Sequence, residues 1–110
     1  MNRLEHLLTI TAEECNEVGQ RVAKALRFGL SNTEPGSEMN NMERILQEYT
    51  DLIAALEMVG EELKKSEDKN LRKIGFNLKE IHNGRYVEKQ TKKNKVEKYF
   101  EISRKEGTLK

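Results

Sequence analysis

The chain is short and almost neutral, and both properties limit what it can be. It has 110 residues, 35% hydrophobic and 35% charged, so we expect one domain with a modest core that gains buried area by association with a second copy. With 20 basic and 19 acidic residues the net charge is +1, so no global electrostatic field selects the partner. A single cysteine excludes an intrachain disulfide and fits a reducing compartment.

Neither end of the chain points to a membrane or a nucleic acid. The opening decapeptide MNRLEHLLTI has an apolar stretch that charges interrupt, and it is too short for a signal peptide or a membrane span. We therefore expect a cytoplasmic protein with no membrane partner. The Lys-rich segment 89–98 is interleaved with Glu88 and Glu97, and the isoelectric point is about 7.8. A solvated helix face explains that segment better than a nucleic-acid surface, so no nucleic-acid partner is expected.

The first half of the chain predicts two long helices. Apolar residues recur at steps of three and four over residues 3–30, which is the spacing of one helix face, and Gly29 fits a C-cap. Cys15 lies on this stripe, so we expect a buried and inert thiol. The second helix, over about 39–65, begins near Ser37 or Asn40, either of which fits an N-cap, and Glu43 stands three residues after Asn40 in a loose capping-box arrangement.

The second half of the chain predicts two shorter helices, over about 68–83 and 86–104. Helix formers dominate throughout, the only proline is Pro35, and no β-branched run is long enough to predict a strand. Two long helices joined by a short connection pack antiparallel. The predicted fold is therefore all-α: a small helical bundle built on a long antiparallel helix pair, in a single domain that oligomerises into a larger bundle.

Acidic residues repeat at a three-residue spacing on both long helices. Glu14 and Glu17 lie about 60° apart and flank the apolar stripe of the first helix. Glu48 lies roughly 90° from the stripe of the second helix, and Asp51 further still. Two antiparallel helices with such pairs can bring four carboxylates together in one wet groove.

Four converging carboxylates would repel one another at neutral pH, and a hard divalent cation relieves that repulsion. Oxygen ligands suit Mg²⁺ or Mn²⁺ better than zinc, and Mg²⁺ tends to recruit substrate phosphates. By spacing alone, however, such pairs are more typical of a solvated helix face. A diiron site is disfavoured, because neither His6 nor His82 stands three residues after a glutamate.

The acids belong to a longer pattern that resembles a known family. The fragment EECNE at 13–17, followed by EYTD at 48–51, resembles the EExxE…ExxD signature of the MazG-like all-α nucleoside triphosphate pyrophosphohydrolases. The runs EECNEVGQRVAKALRFG and NNMERILQEYTDLIAALEMV, the PG-containing linker and the ending KVEKYFEISRKEGTL look like small members encoded by bacteriophages. The resemblance covers nearly the whole chain, and its first sixty residues are the most specific.

The resemblance implies Mg²⁺-dependent hydrolysis of (deoxy)nucleoside triphosphates to the monophosphate and pyrophosphate, in a homodimer or homotetramer. It implies four metal ligands, namely Glu14, Glu17, Glu48 and Asp51. Glu13 matches the first signature glutamate, with a role in orienting water or a second metal ion. Either it or Glu17 would accept the proton of the attacking water. The helical wheel puts Glu13 nearly opposite the apolar stripe. If the chain is phage-encoded, the compartment is the host cytoplasm.

Basic and aromatic residues near the acids are candidates for substrate binding. Arg21 and Lys24 lie one and two turns beyond Glu17, on its side of the helix. Phe28 falls on the same side as Arg21, so we consider it for the nucleobase. From the last helix, Lys93 and its neighbours can reach the phosphates, including those bound by another subunit. For each basic residue, a solvated surface position is the competing interpretation.

Two other function classes fit the same pattern. One is a non-catalytic nucleotide-binding bundle that keeps the family fold. The other is a helical oligomer that binds a protein partner, with the acids as a solvated surface. The complete set of signature acids favours the enzyme, because a homologue without activity is expected to lose at least one ligand.

Overall fold

Four helices account for nearly all of the chain. The computed structural model describes residues 1–84 and 86–108, with the side chains of 1–78 and 88–108. The helices are α1 (Arg3–Phe28), α2 (Asn41–Leu63), α3 (Lys69–Gly84) and α4 (Tyr86–Lys105). Within this part of the chain there is no strand, only an isolated bridge between Thr33 and Asn40. The prediction of an all-α fold is confirmed.

Side chains at both N-termini specify where α1 and α2 begin. The Asn2 side chain accepts a hydrogen bond from the Glu5 amide at 2.8 Å, and Glu5 reaches back to the Asn2 amide. Asn40 and Glu43 form the same reciprocal pair, with distances of 2.8 and 3.2 Å. Each pair satisfies two amides that the first helical turn leaves without partners. The predicted capping box at Asn40 is therefore confirmed.

The connection between α1 and α2 is held by hydrogen bonds to the end of α1. Gly29 has a φ of 99°, in the region that favours glycine, and the chain leaves the helix there. Its carbonyl accepts from the buried Asn41 side chain at 2.8 Å, and the Leu30 carbonyl accepts from the Met42 amide at 3.0 Å. These bonds fix the start of α2 beside the end of α1.

The contact between α1 and α2 forms a small core. Among the described residues, the buried hydrophobic side chains are Leu7 and Ala25 of α1 and Ala55 and Val59 of α2. At the start of α1, the Arg3 guanidinium pairs with the Glu62 carboxylate, near the end of α2, at 3.1 Å. With two alanines among four members, this core has little apolar volume, as the composition predicted.

The close approach of α3 to the end of α2 depends on a glycine within α3. A Cβ on Gly75 would lie 2.7 Å from the Lys64 amide nitrogen and 2.8 Å from the Gly60 carbonyl oxygen. Neither backbone atom can move without disturbing the end of α2. Only a glycine therefore allows α3 to approach α2 this closely.

The contacts divide the chain into two compact units, residues 1–76 and 77–110. The first contains α1, α2 and the beginning of α3. The second contains the rest of α3 and all of α4. Beyond the end of α4, Gly107 takes a φ of 78° and Thr108 bonds to the Ser103 carbonyl. Throughout the described residues, every helix is too short or too polar to cross a bilayer.

Candidate metal centre and phosphate-binding residues

Three acids lie near the middle of α1, and they differ in exposure. Glu14 and Glu17 are half-buried, whereas Glu13 is exposed. The helical wheel accounts for this difference, since the first two flank the apolar stripe and the third points away from it. On α2, Glu48 is half-buried and Asp51 is exposed.

The packing of α1 on α2 brings three of these acids together. One carboxylate oxygen from each of Glu14, Glu48 and Asp51 lies within 4.8 Å of the others. We call these three residues the acid cluster. Two adjacent helices supply it, and the three-residue spacing on α2 puts both of that helix's members on one side. Glu17 lies outside this set, although its charge acts on Glu14.

Glu14 is in the least favourable environment of the cluster. Partial burial raises the pKa of its carboxyl above the ordinary 4.5, and neighbouring negative charges raise it further, in decreasing order those of Asp51, Glu48, Glu17 and Glu13. Its Oε2 atom exposes less than 1 Å² and has no hydrogen-bond partner among the described residues. A carboxylate oxygen so placed needs a proton or a cation to compensate its charge.

The donor set matches a hard divalent cation. The acid cluster offers carboxylate oxygens and no nitrogen or sulfur, which is the preference of Mg²⁺ and Mn²⁺. Cys15, one residue after Glu14, is exposed, so the expected burial of its thiol is wrong. Leu8 and Val22, seven residues to either side, are also exposed. This side of α1 is only partly covered by the described residues.

The basic residues expected at the phosphates form ion pairs near the end of α1. Arg21 Nη1 lies 3.1 Å and Lys24 Nζ 4.0 Å from Glu34 Oε1, in the loop between the long helices. Arg44 Nη2, on α2, lies 3.6 Å from Glu34 Oε2. We call Arg21, Lys24 and Arg44 the cation cluster. The structure thus joins two candidates from the sequence to a third basic residue.

The sequence reasoning missed both Arg44 and Glu34. A signal existed for Arg44, because it precedes Glu48 by one helical turn and therefore shares its side of α2. No periodic signal exists for Glu34, since it lies in an irregular loop whose path depends on contacts with both helices.

The two remaining substrate-binding candidates are Phe28 and Lys93. Phe28 is 58% exposed, and the Arg27 guanidinium stacks over its ring with 5.4 Å to the centroid. Lys93 is an exposed residue of α4, in the second compact unit. Neither residue belongs to the acid cluster or to the cation cluster.

Comparison of the chain with protein-family models, curated proteins and solved structures gives no match. The resemblance to the MazG-like family therefore stays a prediction from the sequence.

Proposed function

We propose that this chain hydrolyses nucleoside triphosphates to the monophosphate and pyrophosphate with Mg²⁺. The observation that carries the proposal is the acid cluster. Two helices that are distant in sequence present three carboxylates within 4.8 Å, with one oxygen of Glu14 unpaired and closed off from solvent. A solvated helix face does not require such convergence.

Glu14, Glu48 and Asp51 would hold the cation, and Glu17, one turn from Glu14, is the fourth proposed ligand. When bound, Mg²⁺ would neutralise phosphate charge and lower the pKa of a bound water. Mn²⁺ has similar oxygen preferences and is the natural substitute. The raised pKa of Glu14 supports this assignment, because partial burial and then the repulsion of neighbouring acids raise it, and a divalent cation would compensate the charge that both disfavour.

The side chains around the acid cluster would perform the rest of the reaction. Water adds to the α-phosphorus, the bond from that phosphorus to the bridging oxygen breaks, and pyrophosphate leaves with the bonding electrons. Glu17 or Glu13 would accept the water's proton. Arg21 and Lys24 would stabilise the charge of the leaving pyrophosphate. Phe28 is proposed for the base and Lys93 for the phosphates.

We also propose that α1 and α2 are antiparallel and that the protein is a homodimer or homotetramer. The first point is supported by two contacts at opposite ends, Arg3 with Glu62 and Asn41 with the Gly29 carbonyl. The second is supported by exposed apolar side chains on both helices, which a second copy would cover: Leu8, Val22, Leu26, Leu46, Tyr49 and Leu56. Light scattering should give a mass of two or four times 12.8 kDa, and a monomeric mass at micromolar concentration would contradict this point.

One experiment separates the enzyme from its rivals. The protein is incubated with Mg²⁺ and a panel of ribo- and deoxyribonucleoside triphosphates, and release of pyrophosphate and of orthophosphate is measured separately. We expect pyrophosphate and monophosphate in equal amounts, lost on addition of EDTA. Nucleotide binding without turnover would favour a non-catalytic nucleotide-binding bundle. Neither binding nor turnover would favour a protein-binding oligomer.

A cytoplasmic location, in the host if the chain is phage-encoded, completes the proposal.

A further inference from the structure

We propose that the cation cluster is the binding site for the diphosphate part of the nucleotide, and that Glu34 competes with the phosphates for it. This inference rests on the proposed function and names the contacts on the side of the leaving group. The inference adds two residues to the proposed function, Arg44 as a phosphate contact and Glu34 as the competitor. Neither residue belongs to the acid signature.

The first support is the excess of positive charge around Glu34. Arg21 and Lys24 approach one of its oxygens at 3.1 and 4.0 Å, and Arg44 approaches the other at 3.6 Å. Three cations thus face one carboxylate, and two positive charges stay without a negative partner among the described ion pairs. A diphosphate carries more charge and more acceptor oxygens than a carboxylate, so it matches this cluster better.

The second support is burial. The Arg21 and Arg44 side chains are only 17% and 23% exposed, which is unusual for long cationic side chains on a solvated face. The Nε atom of Arg44 is closed off from solvent and has no acceptor among the described residues. Arg44 meets both Glu34 and the Ser37 hydroxyl through Nη2, so its planar guanidinium still has N–H groups left for a further acceptor.

The third support is the register of the cations against the acids. Arg21 lies seven residues after Glu14, and Arg44 lies seven residues before Asp51. Seven residues are about two helical turns, so each cation shares a side of its helix with the acid and lies about 10 Å along the axis. A nucleotide whose α-phosphate contacts the acid cluster would extend its remaining phosphates toward the cations.

Glu34 then acts as an internal competitor. It belongs to the loop between α1 and α2 and not to either helix, and its side chain is 41% exposed. Such a carboxylate can leave the cations while both helices stay in place. The apparent affinity for phosphates is lowered by the fraction of molecules in which Glu34 occupies the cations.

The test is a calorimetric titration with inorganic pyrophosphate at constant ionic strength, in EDTA so that no metal contributes. Glu34→Gln should bind pyrophosphate about three to ten times more tightly than the natural chain, since the competitor is gone. Glu38→Gln removes the same charge from an exposed position of the same loop and should change nothing. Equal affinity for all three proteins, or weaker binding by Glu34→Gln, would overturn the proposal.

Loss of a cation should have the opposite effect. Arg44→Gln should weaken pyrophosphate binding at least about tenfold, whereas Arg27→Gln, which removes a cation outside the cluster, should not. Orthophosphate should bind at least about tenfold more weakly than pyrophosphate, and equal affinities would overturn the assignment to a diphosphate. If Arg44→Gln fails to fold, the proposal is still tested by Glu34→Gln. The tighter pyrophosphate binding expected for that variant can be observed only in a folded protein.

The titration involves neither a metal nor turnover, so its result is separate from that of the hydrolysis assay. Glu34-dependent pyrophosphate binding without nucleotide cleavage would retain the phosphate site and refute the pyrophosphohydrolase. Cleavage without any Glu34 effect on binding would retain the enzyme and refute this site.

Discussion

The acid cluster and the cation cluster lie on the same two helices, but they differ in whether the chain supplies a residue of opposite charge. It gives Arg21, Lys24 and Arg44 a shared carboxylate from Glu34. Within the described residues it gives no cation to Glu14, Glu48 or Asp51, and the charges that act on Glu14 are those of other acids. One cluster is neutralised in part by the chain, whereas the charge of the other is left for a proton or a cation from solution to compensate. The Mg²⁺-dependent phosphate chemistry proposed for this chain would use this difference.

The largest expected effect comes from removing a carboxylate of the acid cluster. Glu48→Gln should reduce pyrophosphate release at least about 100-fold, because loss of residues that merely support metal ligands already costs about 10- to 100-fold. The same variant should stay folded by circular dichroism, since it removes repulsion from the cluster. Glu57→Gln, an exposed acid of the same helix, is the matched control and should retain full rate. Comparable rates for both variants would refute a catalytic role for the cluster.

A divalent cation should stabilise the natural chain and not the variant. At a Mg²⁺ concentration of about 100 times its dissociation constant, the free energy of unfolding should rise by about 2.7 kcal/mol. Thermal melts with and without Mg²⁺ measure this change. Glu48→Gln should show little or no rise, and an equal rise in both proteins would mean that the cation binds elsewhere.

Removing the carboxylate from the cation cluster should destabilise the fold. Glu34→Gln leaves three cations without their shared partner, and we expect a loss of about 0.5–1 kcal/mol, because the carboxylate is partly exposed and screened. Urea unfolding measures it, with Glu38→Gln as the control at no change. A stabilising effect of Glu34→Gln would mean that these ion pairs do not contribute to folding.

The smallest effect on stability is expected for Glu14→Gln in the absence of metal. Its sign is opposite to that of Glu34→Gln, because this substitution should stabilise the fold relative to the natural chain. The pKa of Glu14 in the folded state is raised above 4.5, so the folded state binds a proton more tightly than the unfolded state does. The associated stability is full below pH 4.5 and is lost as the pH rises through the folded pKa. Glu14→Gln should therefore lose less stability than the natural chain over this window. Parallel curves of melting temperature against pH for the two proteins would contradict the raised pKa.

The sequence predicts the helices well because their signals are local. Periodic apolar residues and the Asn40–Glu43 box act within a few turns, and each observed helix end lies within two residues of the predicted one. Cys15 shows the limit of this reasoning. Its place on the apolar stripe predicts burial, but burial also requires a neighbouring element over that particular side chain, and the described residues leave Cys15 exposed.

The same distinction applies to the candidate site. The wheel and the family-like spacing predict Glu14 and Glu48, whose half-burial follows from their place beside the stripe. Asp51 lies further round its helix, and only the packing of α1 on α2 explains why an exposed side chain reaches the cluster. Glu34 depends on the path of an irregular loop, which no periodicity reports.

The most direct test of the central claim is the binding of Mn²⁺ by the acid cluster, measured by electron paramagnetic resonance of the free ion. The natural chain and Glu57→Gln should bind Mn²⁺ with the same affinity, and Mg²⁺ should displace it. Glu48→Gln and Asp51→Asn should bind at least about tenfold more weakly. Equal binding by all four proteins, or no binding by the natural chain, would contradict the assignment of these carboxylates to a metal.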